Sequence, residues 1–360
     1  MKTLGSPRGL VMHAGLRLWP QLDALAQWGD GLTDVRLILA HGDDEVGGPA
    51  ERIEAFIAAN LPHIKVERFG NVYDDDPAET ATAIAAATAS DGPWMVDLSG
   101  GTRLMFAGGV LAASRLPDIS VVYRDPAGPW YQIGDDGAAH QAEGTSTRAI
   151  ERFTVEGLLN VTWAEDDRRV HIVDSRIESE IWEAARRSLA KDGRRWRADF
   201  QRAVTGVKRR GQGDGDPGRL FERYVLALLR QLGIAEDDSA TSVKLEDDGA
   251  SVQEVDVVVN CNGWLYVIDC KLGDGKGYRR GSDAKLDPLG TQIREAFATR
   301  RLLGDGGDQF VLLRPDRVIS TVFRSLCAEY QITVVDKVVL AKDPLPAVLR
   351  RLIRPPGADL

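Results

Sequence analysis

Trp94-Met95-Val96-Asp97-Leu98-Ser99-Gly100-Gly101-Thr102-Arg103 is a short apolar run, a glycine turn and the start of a helix. The run is too apolar for an exposed loop and too short for a helix, so it reads as a buried strand. The residues that follow, 103–114, carry apolar side chains at helical spacing. A strand that passes through a tight turn straight into a helix is half of a β-α-β unit. The question is whether the flanking sequence repeats it.

It does. On the N-terminal side, Leu10-Val11-Met12 forms an apolar run before His13-Ala14-Gly15, and residues 19–28 place Leu22, Leu25 and Ala26 on one helical face. Val35-Arg36-Leu37-Ile38-Leu39-Ala40 is a second buried-type strand. Residues 49–61 bring Ile53, Phe56 and Ile57 together at helical period, 64–69 form a third strand, and the alanine-rich residues 77–90 another helix. Beyond the quoted stretch, 119–123 is a further strand that Trp130-Tyr131-Gln132-Ile133 is placed to pair with. Alternation of this kind predicts an α/β fold with a mainly parallel, Rossmann-like sheet and helices on both faces.

In such sheets ligands sit beyond the carboxyl ends of the strands, where the strand order reverses. If the first and fourth strands are neighbours there, two loops meet: His13-Ala14-Gly15 and Ser99-Gly100-Gly101-Thr102-Arg103. The second suits an anion. Glycine lets the backbone approach closely, the helix start offers unpaired N–H groups, Thr102 adds a hydroxyl and Arg103 a cation. His13, Gly15, Ser99, Gly100, Gly101, Thr102 and Arg103 are therefore the candidate ligand-binding residues. The opposing reading is a plain glycine turn with Thr102 as helix cap and Arg103 in solvent. Neither a Gly-x4-Gly-Lys-Ser/Thr P-loop nor a Gly-x-Gly-x2-Gly dinucleotide turn after the first strand is present.

Composition narrows the field. The chain has 360 residues, enough for two or three domains. Its 45 Lys/Arg against 54 Asp/Glu give a net charge of −9, unlike a general nucleic-acid coat protein. Three cysteines with no Cys-x2-Cys pair argue against a disulfide scaffold and a structural zinc site. No apolar run approaches the ~20 residues that span a bilayer, and the N-terminus lacks the apolar core of a secretory signal. A cytoplasmic protein with no membrane partner is expected. The last of five histidines is His171, which removes histidine-based chemistry from the C-terminal half.

That half carries its own constellation. Residues 219–232 read as a helix with Leu220, Phe221, Tyr224, Val225, Leu228 and Leu229 on its apolar face and Glu222 among them. Two strands follow, 253–259 and 264–271, joined by a Cys261-Asn262-Gly263 turn. Side chains alternate along a strand, so Asp269 and Lys271 share a face roughly 6.5–7 Å apart. Antiparallel pairing would set Asp256 beside Asp269. Two carboxylates in an apolar hairpin repel each other and resist desolvation, and a divalent cation relieves both penalties. Oxygen ligands with open positions suit Mg²⁺ or Mn²⁺, with Lys271 placed to stabilise charge on a phosphodiester. The bland alternative is a set of strand-end charges facing solvent.

The order Glu222, Asp256, Asp269-Cys270-Lys271 resembles the PD-(D/E)xK restriction-endonuclease superfamily, where the commoner residue at the Asp269 position is Glu. The resemblance implies Asp256 and Asp269 as metal ligands, Lys271 as the catalytic lysine and Glu222 as an auxiliary acid. It also implies that Gln292 and Arg294, on a helix over 288–303, contact a nucleic-acid backbone. A strand–Ser-Gly-Gly-Thr-Arg–helix element joined to such a nuclease resembles the CARF-domain nucleases of type III CRISPR defence. Residues 96–105 match the sensor element, 154–159 the following helix and 220–271 the catalytic core. That family implies a homodimer whose sensor binds a cyclic oligoadenylate, most often the tetra-adenylate, and switches on a metal-dependent endonuclease acting on DNA or RNA.

The expected organisation is a sensor domain over 1–148, a helical linker region over 149–212 and a nuclease domain of restriction-endonuclease-like α/β type over 213–360. The linker contains a basic stretch, Lys191 to Arg210, which is either a solvated helix face or a phosphate-steering surface. Two rival functions are a ligand-responsive nucleic-acid-binding regulator with an inactive nuclease fold, and a constitutive restriction or repair nuclease.

Overall fold

The computed structural model describes residues 7–15, 18–40, 48–73, 75–90, 92–116, 119–124, 129–134, 137–146, 149–163, 169–174, 176–190, 193–210, 216–247, 250–261, 264–272 and 309–353. These fall into two compact units, one over 1–153 with 157–167, the other over 154–156 with 168–360.

In the first unit the elements are β1 (Gly9–Ala14), α1 (Trp19–Trp28), β2 (Asp34–Ala40), α2 (Pro49–Asn60), β3 (Lys65–Val72), α3 (Pro77–Ala87), β4 (Trp94–Asp97), α4 (Arg103–Ala113), β5 (Ile119–Arg124), β6 (Trp130–Ile133), β7 (Ala139–Gln141) and α5 (Val155–Trp163), whose first residues belong to the second unit. Among the described residues the sheet runs β3-β2-β1-β4-β5-β6-β7. β1 to β5 are parallel, and β6 and β7 are added antiparallel. The chain builds outward from β1 through β2 to β3, then returns to place β4 on the other side of β1. The strand order therefore reverses between β1 and β4, as the alternating sequence requires for the two candidate loops to meet.

Strand alternation sorts the core. Val11, Ile38, Val96 and Val121 are buried on one face together with Ile84 of α3 and Met105 of α4. Leu10, Met12 and Leu37 point the other way and are equally buried, on the side where Asp23 of α1 bonds Trp130 of β6.

The second unit contains β8 (Arg169–Asp174), α6 (Ser179–Ala190), α7 (Trp196–Arg210), α8 (Pro217–Gln231), β9 (Ser239–Asp247), β10 (Ala250–Cys261), β11 (Trp264–Cys270), β12 (Gln309–Arg314), α9 (Thr321–Glu329), β13 (Ile332–Asp336), α10 (Lys337–Lys342) and α11 (Leu345–Leu352). Its sheet runs β13-β12-β11-β10-β9-β8 among the described residues. β8 to β11 are antiparallel neighbours, whereas β11, β12 and β13 are parallel. The buried face of α8, with Phe221, Tyr224, Val225 and Leu228, packs with Val257, Val259, Tyr266 and Ile268 into one core.

The expected linker over 149–212 divides differently. β8 pairs with β9, and α6 and α7 bury Ile181, Ala184, Ala185, Trp196 and Phe200 in the core of the second unit. Amphipathic periodicity identifies these helices but not the core they cover. Among the described residues no helix is long and apolar enough to cross a membrane.

Candidate functional site

The hairpin β10–β11 pairs Val257 with Ile268, and continuing that register by one residue sets Asp256 opposite Asp269. A hydrogen bond fixes the arrangement: the backbone N–H of Cys270 donates to Asp256 Oδ2 at 2.7 Å. The Lys271 ammonium lies 3.5 Å from Asp256 Oδ2 and 3.4 Å from Asp269 Oδ1. Both acids and the lysine therefore gather at the carboxyl end of β11. Cys270 points the other way and is buried at 2% exposure, with its thiol pushed far up by burial.

The two acids differ. Burial, then the Asp269 charge, raises Asp256 well above the usual carboxylate range. Burial also pushes Asp269 up, but Arg314 and Lys271 outweigh it and hold it low. Arg314 ends β12, which runs parallel to β11. Its guanidinium donates to Asp269 Oδ2 at 3.0 Å and to the Asp269 carbonyl at 3.0 Å. Sequence reasoning missed Arg314. The only local signal is an arginine ending the apolar run Phe310-Val311-Leu312-Leu313.

Glu222 projects from α8 toward this cluster and is 9% exposed. Burial raises its carboxyl to about 7, against the opposing pull of Lys271. No hydrogen bond or ion pair among the described residues joins Glu222 to the two aspartates. Gln292 and Arg294 lie outside the described residues.

The cluster suits a divalent cation. Asp269 Oδ1 is buried with the Lys271 ammonium 3.4 Å away, and Asp256 Oδ2 faces the same ammonium, so one oxygen from each acid already converges on a single positive charge. Among the described residues no three His, Cys, Asp or Glu side chains form a ready cage. Two carboxylates with water on the remaining positions is the habit of Mg²⁺ rather than of an all-protein site.

The second candidate site lies in the first unit. β1 and β4 are neighbours, with Met12 opposite Asp97, so the loops after them touch. A Cβ on Gly100 would lie 1.5 Å from Gln21 Nε2, one on Gly15 2.2 Å from the Gly100 carbonyl, and one on Gly101 2.7 Å from His13 Nδ1. Gly15 and Gly101 are thus required by the close packing of the two loops, while Gly100 packs against the Gln21 side chain of α1. Gln21 Nε2 donates to the His13 carbonyl at 2.8 Å. Thr102 caps α4, its hydroxyl accepting the Met105 N–H at 3.2 Å. Thr102 and Arg103 are exposed, and Arg103 makes no ion pair with any described residue.

Beneath the loop lies a buried polar network that the sequence did not announce. The Ser99 hydroxyl donates to Asp97 Oδ1 at 2.5 Å and accepts the Arg124 N–H at 2.8 Å. Its role is thus to tie the loop to the ends of β4 and β5. The Arg124 guanidinium lies 2.6 Å from Asp23, which also accepts from Trp130 Nε1 at 2.8 Å. Burial raises Asp97 to about 7 and Asp23 to about 6, and lowers His13 to about 4. Both His13 ring nitrogens are buried without partners among the described residues.

No protein-family model matches the chain, and no curated protein matches it by sequence. Solved structures do match. Can2 from Sulfobacillus thermosulfidooxidans, in complex with cyclic tetra-adenylate, superposes with a TM-score of 0.63 at 16% identity, covering 96% of this chain and 97% of that one. Protein VC1899 from Vibrio cholerae gives 0.64 at 14% identity over the same shares. A type III CRISPR defence DNA nuclease activated by cyclic oligoadenylate gives 0.53 at 18% identity, over 87% of this chain and 46% of that chain. Across nearly its whole length the chain has the fold of Can2 and of VC1899.

Proposed function

We propose that the chain is a cyclic oligoadenylate-activated, Mg²⁺- or Mn²⁺-dependent endonuclease of type III CRISPR defence. It acts in the cytoplasm as a homodimer, takes cyclic tetra-adenylate as activator and cleaves DNA, with RNA as the alternative substrate. The observation that carries this reading is the convergence of Asp256, Asp269 and Lys271 at one strand end, in a fold shared with a protein solved with cyclic tetra-adenylate.

Asp256 and Asp269 are the metal ligands in this reading. The bound ion would lower the pKa of an attacking water and bear charge on the phosphodiester. Lys271 places a fixed positive charge where the pentavalent phosphorus species develops negative charge. Arg314 holds Asp269 ionised and oriented. Glu222, protonated or ionised near neutral pH, is the auxiliary acid.

At the other site, Gly100, Gly101, Thr102 and Arg103 receive the activator's phosphates, with His13 and Gly15 packed beneath and Ser99 anchoring the loop. A twofold dimer presents this loop twice about one axis, which matches the rotational symmetry of a cyclic tetranucleotide. The activator can switch the nuclease only by binding the active arrangement more tightly than the resting one.

The deciding experiment is a cleavage assay on plasmid, single-stranded DNA and RNA, with Mg²⁺ or Mn²⁺, with and without each cyclic oligoadenylate. Cleavage that needs both metal and activator supports the reading. Cleavage without activator points to a constitutive nuclease. Duplex binding with no cleavage under any condition points to a regulator.

A further inference from the structure

The nuclease reading leaves one charge problem. Glu222, Glu254, Asp256 and Asp269 stand together at the active end of the second sheet, and acids repel a polyanion. Of the cations there, Arg314 is buried on Asp269, Arg197 is engaged with Asp316 at 3.1 Å and with the Pro315 carbonyl, Arg219 acts on Glu222, and Lys244 stands opposite Glu254 across β9 and β10. Lys271 faces both aspartates.

The Arg197 contacts locate α7. Leu313 pairs with Cys270 across β12 and β11, and the Lys271 N–H donates to the Leu313 carbonyl at 3.1 Å. Residues 315–316 are therefore the turn directly beyond the strand end that carries the acids. Arg197 binds that turn from the first residues of α7, so the start of α7 lies at the catalytic end of the sheet. Immediately before α7 come Arg194 and Arg195, and the turn itself continues into Arg317. All three are exposed, and none makes an ion pair with any described residue. They belong to a markedly basic segment: residues 176–210 hold eleven Lys/Arg against five Asp/Glu, in a chain of net charge −9.

We propose that Arg194, Arg195 and Arg317 form a docking site for the sugar–phosphate backbone of the substrate strand, beside the Asp256–Asp269–Lys271 cluster. This rests on the nuclease reading for the identity of the strand. Arginine suits the task, because its fork of donors matches phosphate oxygens. Lys208 and Arg209 are also exposed without ion pairs among the described residues, but they sit at the far end of α7, about 20 Å away at 1.5 Å per residue.

The test compares the intact wild-type protein with two variants: Arg194→Ala/Arg195→Ala/Arg317→Ala, and the distal control Lys208→Ala/Arg209→Ala. Affinity for a labelled single-stranded oligonucleotide is measured in EDTA at several salt concentrations, and KM and kcat are measured with metal and activator. Thermal melting confirms that each variant is folded. The triple variant is expected to bind at least tenfold more weakly and to raise KM by a similar factor. Its slope of log affinity against log salt is expected to fall by about 2, at ~0.7 per phosphate contact for single strands. The control is expected to change each quantity less than threefold. Equal losses in both variants would show bulk charge rather than a site and overturn the proposal, as would an unchanged triple variant or a wild type that binds no oligonucleotide. If the wild type binds but never cleaves, the nuclease reading fails while the binding comparison still decides the docking site.

Discussion

Arg314 reaches Asp269 twice, through its carboxylate and through its carbonyl, each at 3.0 Å. One side chain on β12 thus fixes both the charge and the backbone of an acid on β11. Arg314→Ala is expected to cost about 3–5 kcal/mol, the usual penalty for stranding one member of a buried pair, and to weaken Mn²⁺ binding measured by calorimetry. Arg314→Lys keeps the charge but loses the fork, and should fall between. A variant with wild-type melting and wild-type Mn²⁺ affinity would remove Arg314 from the site.

Lys271→Ala should cut kcat by about 10²–10³, the scale of losing one charge-stabilising group, while leaving activator affinity unchanged. Its ammonium lies between the two acids, so its loss should not weaken metal binding. Retained cleavage would refute the catalytic assignment.

The proposed activator loop separates two roles. Arg103 is exposed and makes no ion pair with any described residue, so Arg103→Ala should lower cyclic tetra-adenylate affinity about tenfold without moving the melting temperature. Thr102 caps α4, and Thr102→Ala should lower affinity and cost about 0.5–2 kcal/mol as well. Calorimetric titration beside thermal melting tells the two apart; wild-type affinity in both would place the activator elsewhere.

The first unit has a pH signature. His13 titrates at about 4 in the fold against about 6.5 unfolded, so its contribution is held above that range and lost as pH falls. Asp97 and Asp23 titrate at about 7 and about 6 against about 3.9 unfolded. Their contribution is held at low pH and lost as pH rises. Two groups oppose one, so between about pH 4 and 6 the native state binds the extra proton and these three groups together lower stability as pH rises. Asp97→Asn removes one of the two, and the remaining pair should nearly cancel. Melting curves from pH 4 to 7 should show the difference between wild type and variant changing steadily across that window; a constant difference would contradict the assignment.

Much of this was legible because it was local. The strand–glycine–helix unit and the Asp269-Cys270-Lys271 triplet are each contiguous, alternation sets Asp269 and Lys271 on a common face, and antiparallel pairing of the hairpin brings Asp256 beside them. What escaped reading was not local. Arg314 meets Asp269 across 45 residues, and Trp130 meets Asp23 across 107. Neither pairing leaves a periodic trace, since a buried cation at a strand end looks like a surface one until its neighbour is known. β7 carries no buried residue, so hydropathy could not mark it. Ser99 illustrates the converse. Its place in the loop was evident, but the acceptor below it and the N–H beside it were not, and they turn its hydroxyl inward.

The parallel pairing of β11 with β12 bears on the order in which the candidate site is completed. A chain emerging from the ribosome holds both aspartates and the lysine once residue 271 is made, yet the guanidinium that keeps Asp269 charged comes only with residue 314. Parallel neighbours cannot close through a tight hairpin, and distant pairings form late. A partly synthesised chain therefore carries an incomplete candidate site, and the Asp269 carboxylate gains its partner only as β12 docks.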